Sequence, residues 1–146
     1  ISMAANCASF SGAGKVQETI MQLAVQTTDA TATVARTNTS AAATSNQLTL
    51  PTNSAMVFTG TVVANVTSGG NTHAWQFRGA MKRGSGNVAL VGTPSIDDIA
   101  YDSGASAWSF AFSADTTNQA LAVTVTGQAS TTIRWVVNIH ATEVAF

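Results

Sequence analysis

Apolar and small polar residues alternate with a period of two along most of this chain, and the alternation is cleanest between Trp108 and His140. There the sequence reads W-S-F-A-F, then S-A-D-T-T-N-Q, then A-L-A-V-T-V-T-G, then Q-A-S, then T-T-I-R-W-V-V-N-I-H. Three apolar-alternating runs are separated by Asp, Asn, Gly, Ser and Thr, which favour turns, so the stretch predicts a three-strand antiparallel meander.

The same pattern continues upstream. Val16 to Thr27 alternates with Met21, Leu23 and Val25 on one face and Glu18, Ile20 and Gln22 on the other, as an edge strand or a subunit contact would. Thr28 to Asn46 is low in complexity, and its Thr, Ser and Asn compete for backbone hydrogen bonds, which predicts a loop with one short strand around Thr33 to Arg36. Gln47 to Leu50 reads as a short strand stopped by Pro51. Met56 to Thr67 places Met56, Phe58, Val62, Ala64 and Val66 on one face, and S-G-G-N at 68–71 turns the chain into a partner strand, Thr72 to Arg83, with Trp75, Phe77, Gly79 and Met81 inward. V-A-L-V at 88–91 is a short buried strand, and I-D-D-I-A-Y-D at 96–102 is a strand or a shaped loop. About eight to ten strands, no helical periodicity and regular turn signals predict an all-β antiparallel sandwich or jelly roll.

Composition narrows the setting. A chain of 146 residues fits one domain, expected over 16–146, and buries roughly 70% of its unfolded surface without metal or disulfide. Residues 1–15, small and Gly-containing, read as a flexible lead-in, and a start at Ile1 suits a processed product or a piece of a longer polypeptide. Only 9% of residues are charged, so hydroxyls and amides must cover the surface, as in extracellular or oligomeric β-proteins. Six Lys and Arg offer no footprint for a phosphate backbone, so nucleic acid is not an expected partner. Arg78, Lys82 and Arg83 read as a solvated strand end. No apolar run reaches the length of a membrane span, and no stretch with the basic start and apolar centre of a signal peptide is read. Cys7 is the single cysteine and reads as a small buried apolar residue.

Candidate chemistry is sparse. Trp75, Trp108 and Trp135 lie on the apolar faces of their strands and read as core anchors, not as sugar platforms. Tyr101 differs, because it lies in a Gly- and Asp-bounded segment beside Asp102. Asp97, Asp98 and Asp102 lack the alternation and Gly of a calcium loop, and their proximity in sequence does not set the separation of about 5–9.5 Å that paired carboxylates need across a sugar. His73 and His140 are too few for a histidine-only zinc site, no G-x-S-x-G elbow accompanies the serines, and G-A-G-K at 12–15 is too short for a phosphate loop. No cofactor or metal is expected. Arg134 is expected to pair with Glu143 or with an acid on a neighbouring strand. The long polar loops 68–73 and 96–106 supply the candidate receptor or glycan site: Asn71, His73, Asp98, Tyr101 and Asp102.

N-S-A-M-V-F-T-G-T-V-V-A at 53–64, A-W-Q-F-R-G-A at 74–80, V-A-L-V-G at 88–92, A-W-S-F at 107–110, A-D-T-T-N-Q-A-L at 114–121, V-T-G at 125–127 and T-I-R-W-V-V at 132–137 follow one another in an order and spacing that resembles a C-terminal domain of bacteriophage tail fibres and tailspikes. The likeness covers roughly residues 20–146. It implies an all-β, homotrimeric, non-enzymatic module on the virion tail, outside the cell, that contributes to trimer assembly and to recognition of a bacterial surface polysaccharide or other host receptor, with no membrane insertion. The alternatives are a purely structural trimerisation cap or decoration module, and a glycan-degrading domain using Asp97, Asp98 or Asp102.

Overall fold

The computed structural model of the chain describes residues 2–5 and 15–146. Eleven strands are present among the described residues: β1 (Ser2–Ala5), β2 (Val16–Thr27), β3 (Thr33–Val34), β4 (Leu48–Thr49), β5 (Ser54–Val66), β6 (Thr72–Arg83), β7 (Val88–Leu90), β8 (Ser95–Tyr101), β9 (Ser109–Asp115), β10 (Ala120–Thr126) and β11 (Ile133–Ala145). Among the described residues the only helical pieces are single 3-10 turns at Thr67–Gly69 and Ser103–Ala105. All pairings are antiparallel, and the fold is an all-β sandwich. The large sheet runs β1-β2-β11-β5-β6-β7, with β8 also on β6; the small sheet runs β3-β10-β4, with β9 on β10. Ser2–Ala5, inside the stretch read as a lead-in, pairs with the start of β2. Cys7 and most of the G-A-G-K segment lie outside the described residues.

The strand positions follow the alternation, but the meander does not. β9 and β10 form the expected hairpin from Asp115↔Ala120 to Ser109↔Thr126. The third run, β11, leaves that sheet and inserts between β2 and β5 in the opposite one. Length explains the crossing: β11 has 13 residues and finds partners along its whole length on both sides, from Thr27 and Val66 at Ile133 to Val16 and Ala55 at Val144, whereas β10 has only seven residues to offer. Every unpaired backbone group of a longer strand would need another partner. The connection is tight: a Cβ at Gly127 would lie 3.0 Å from the Asp29 carbonyl oxygen and 3.2 Å from the Ile133 side chain, so this link accepts no side chain without displacement.

Between the sheets lies an aromatic core. The Trp75 and Trp135 rings stack at 5.9 Å, Trp108 lies 6.1 Å from Trp135, and Phe58, Phe77, Phe110 and Phe112 close the other half. Indole polarity is satisfied locally, Trp135 Nε1 donating to Thr27 Oγ1 at 3.0 Å and Trp108 Nε1 to Gln128 Oε1 at 3.2 Å. All three tryptophans are buried, as their strand faces require. On β5 and β6 each phenylalanine stands opposite a glycine, Phe58↔Gly79 and Gly60↔Phe77. A Cβ at Gly79 would lie 2.5 Å from the Phe58 ring, and one at Gly60 2.6 Å from the Phe77 ring. The glycines make the space that the opposing rings fill.

The polar 28–46 region is ordered by one side chain. Asn46, fully buried, donates through Nδ2 to Asn38 Oδ1 and to the Ala41 carbonyl, both at 2.9 Å, and accepts the Ala43 amide at 2.8 Å. Within the same region, at Ala35 and Arg36, the chain steps from the small sheet to the large one: the Ala35 amide donates to the Val123 carbonyl and Arg36 bridges to Ala24 on β2.

The outward face of the large sheet is unusually apolar. Val57 and Val63 on β5 and Val136 and Val144 on β11 are all exposed, although they sit on the two most central strands.

Candidate functional site

The five loop residues singled out from the sequence meet at one corner, where β6 begins and β8 ends. The register aligns His73 with Tyr101 and, past an irregularity between Ala74 and Trp75, Trp75 with Asp98. That irregularity carries Asp98 to the same side of the strand as Tyr101, towards His73. His73 Nε2 lies 2.9 Å from Asp98 Oδ1, and Nδ1 lies 3.0 Å from the Ala105 carbonyl oxygen. Both partners are acceptors, so the two bonds form together when each ring nitrogen carries a hydrogen. The imidazole stacks on Trp75 at 3.6 Å and is flanked by Tyr101 at 4.7 Å.

Asp102 acts as a latch. Its backbone amide donates to the Thr72 carbonyl at 3.0 Å, and its Oδ2 accepts the Thr72 amide at 2.9 Å. Asn71 packs under the Ser103–Ala105 turn so closely that a Cβ at Gly104 would collide with its amide.

His73 departs from the expectation of a loop residue open to ligand: it lies on β6 and is 3% exposed. The S-G-G-N turn ends before it, and the period of β6 puts it on the inward face with Trp75. Its role is to carry the exposed groups: Tyr101 at 53% exposure and Asp98, whose side chain is equally open. The resulting surface offers a phenol ring, a carboxylate with one uncommitted oxygen, and the neighbouring Asp102. Such a surface can stack on a sugar ring and accept hydrogen bonds from its hydroxyls. Asp97 points the other way, towards the outward face beside Thr59, Thr61 and Arg78, so the carboxylates of 97, 98 and 102 do not converge. Among the described residues, no three His, Cys, Asp or Glu side chains gather as a metal site would require.

Two further expectations are corrected. Arg134 does not reach Glu143, which sits on the opposite face of β11; its Nε donates to Gln26 Oε1 at 3.1 Å instead. Glu143 is turned inward and nearly buried, and burial pushes its carboxyl above the usual range. Arg83 is not merely a solvated strand end, since it ties the Gly86 and Leu50 carbonyls together, each at 3.0 Å.

A second polar feature went unremarked in the sequence. Arg36, Arg134, Gln26 and the 37–39 segment surround a cavity of about 370 Å³ over Ala24 and Val136. Arg36 Nε is buried there with no hydrogen-bond partner. The sequence placed Arg36 only as the end of a short strand; its rarity, one of six cations in the chain, was the available signal.

No protein-family model and no curated protein matches the sequence. Among solved structures, the chain is similar to the tailspike protein gp49 from Acinetobacter baumannii bacteriophage Fri1, a capsular polysaccharide depolymerase, at 10% identity and a TM-score of 0.41. The similarity covers 95% of this chain and 19% of that one. The expectation of a non-enzymatic module is withdrawn, because the matched protein is an enzyme. At this distance no residue role passes from one chain to the other.

Proposed function

We propose that this chain is a tail-associated module of a bacteriophage fibre or tailspike, which self-associates as a homotrimer and binds a bacterial surface glycan through the corner formed by β6 and β8. The observation that carries this reading is the pairing of exposed Tyr101 and Asp98 with a buried support: the His73 ring is clamped between Asp98, the Ala105 carbonyl and the Trp75 face, so the exposed groups are held in place before any ligand arrives. Preorganised aromatic and carboxylate groups lose little freedom on binding a sugar.

Self-association is supported by the outward valines. Four strands of 12 to 13 residues, spaced by about 4.8 Å and rising about 3.3 Å per residue, present a face of roughly 700 Å², near the roughly 800 Å² per partner of a standard interface. The low charge leaves little to repel a second copy. The trimeric number, the virion location and the glycan class rest on the resemblance of the ordered segments from residue 53 to residue 137.

The test is binding of the fluorescently labelled protein to host cells and to a panel of capsular polysaccharides. Tyr101→Ala and Asp98→Asn are expected to lower binding at least about tenfold while thermal unfolding stays cooperative, as loss of a central aromatic contact does in other interfaces. Unchanged binding by both variants removes this corner as the receptor site.

A further inference from the structure

The two hydrogen bonds that hold His73 need one hydrogen more than a neutral imidazole carries. The Ala105 carbonyl, 3.0 Å from Nδ1, and the Asp98 carboxylate, 2.9 Å from Nε2, can only accept. Both bonds therefore exist when the His73–Asp98 pair holds an extra proton, as imidazolium facing carboxylate. A carboxylic acid donating to a neutral Nε2 is the same pair with the same proton. The Trp75 face, parallel to the ring at 3.6 Å, also suits a cation.

When that proton leaves to water one bond must fail, and burial decides which. Nδ1 faces the carbonyl of buried Ala105, which the Trp108 amide also holds at 3.0 Å; a bare ring nitrogen there would be shut in against an oxygen with no water to replace the bond. Nε2 faces Asp98, whose side chain is 53% exposed and can turn to solvent with its hydration intact. Nδ1 keeps its hydrogen, and Asp98 is released. Nothing else nearby replaces the proton. β8 and the turn after it bring only Asp98, Tyr101 and Asp102 towards the ring, and Asp102 is committed to the Thr72 amide. β5 meets His73 at Ala64, and Arg134, at the same end of the large sheet, stands on its outward face tied to Gln26. Among the described residues Asp98 has no ion-pair partner besides His73.

We propose that His73 and Asp98 form a proton-operated clamp that sets whether the corner is preorganised. With the proton, Asp98 is held beside Tyr101 on the His73–Trp75 stack; without it, Asp98 swings free. The clamp is complete at low pH and is lost as pH rises. Its consequence for binding rests on the reading of this corner as the glycan site: a hydroxyl taken by a fixed carboxylate is bound more weakly once that carboxylate must first be ordered.

The test follows the isotope-labelled full chain by NMR between about pH 5 and pH 8, the range in which histidine changes charge. As pH rises, His73 Nε2 is expected to lose its hydrogen while Nδ1 keeps its own, and the Asp98 and Tyr101 amide signals should follow the same curve. Exposed His140 should follow a separate one, and His140→Gln should leave the His73 curve in place. Asp98→Asn is the sharpest variant, because its side-chain amide can donate to a bare Nε2 and close the clamp without the proton. Its His73 should carry the single Nδ1 hydrogen at pH values where the parent carries both. A capsular polysaccharide that binds the parent should bind at least about fivefold more weakly at the top of the pH range than at the bottom, and should in turn hold the His73 proton to higher pH by the same factor. The proposal is overturned if Nε2 keeps its hydrogen throughout, if Nδ1 loses its hydrogen first, or if Asp98→Asn follows the parent curve. Equal polysaccharide binding at both ends of the range would also overturn it while leaving the glycan reading standing. Joint titration of His73, Asp98 and Tyr101 with no polysaccharide bound at any pH would support the clamp and count against the glycan reading.

Discussion

The corner at His73 and the cavity at Arg36 put similar residues to opposite uses. At His73 a carboxylate contact, a stack and a backbone carbonyl satisfy one another, and the ring is sealed against Trp75 with both nitrogens engaged. At Arg36 a guanidinium nitrogen is buried beside an open cavity with nothing to bond. Polar groups whose needs are met within the chain serve mainly to hold neighbours in place, and buried groups left wanting are held at a cost in stability. Chemistry at the first site is displayed on top of a finished structure; at the second an unmet hydrogen bond is enclosed within it.

Substitutions can separate these roles. Trp75→Ala removes the platform under His73 and the stack on Trp135 together and is expected to cost about 3–5 kcal/mol, read from urea unfolding. An effect below about 1 kcal/mol would mean the corner is not anchored to the core. His73→Ala leaves the Ala105 carbonyl and Asp98 without their partner and should cost about 1–3 kcal/mol. If instead it left stability untouched and abolished glycan binding, His73 would be a contact residue and not a support.

Arg36→Met should behave in the opposite way. It removes an unpaired buried nitrogen while keeping an apolar stem against Ala24, so stability holds or rises by up to about 1 kcal/mol. A clear loss would show that Arg36 already has a structural partner.

Glu143 gives the smallest change, with a sign set by pH. Its carboxyl is raised by burial, so the folded chain binds a proton more readily than the unfolded one, and this contribution is present at low pH and lost as pH rises through the raised value. Glu143→Gln is therefore expected to raise the unfolding midpoint at pH 7 and to lose that advantage below the ordinary carboxyl value of 4.5. A gain that persists unchanged at pH 3.5 would point to packing instead of charge.

Alternation made the strands legible because a half-buried strand writes its two faces into consecutive residues. It located β5, β6, β9, β10 and β11 and their inward aromatics. It does not say which strand lies beside which: three sequential runs suit a meander, whereas β11 crosses to the other sheet. That choice depends on strand length and on the edges that β2 and β5 would otherwise leave open, neither of which is local. The candidate corner was readable as residues but not as geometry: loop composition drew attention to Asn71, His73, Asp98, Tyr101 and Asp102, while burial of His73 depended on its register with Trp75. Arg36 was illegible, because its cavity is made by β2, β11 and a polar loop that meet only in the fold.

The outward face of the large sheet is where the proposed assembly can be tested most directly. Light scattering on the purified chain at micromolar concentration should give about 45 kDa, three times 14.9 kDa, and the double variant Val57→Lys with Val136→Lys should fall to the mass of a single chain while remaining folded. A parent protein that stays at 14.9 kDa across that range would contradict the account of this chain as a self-associating tail module.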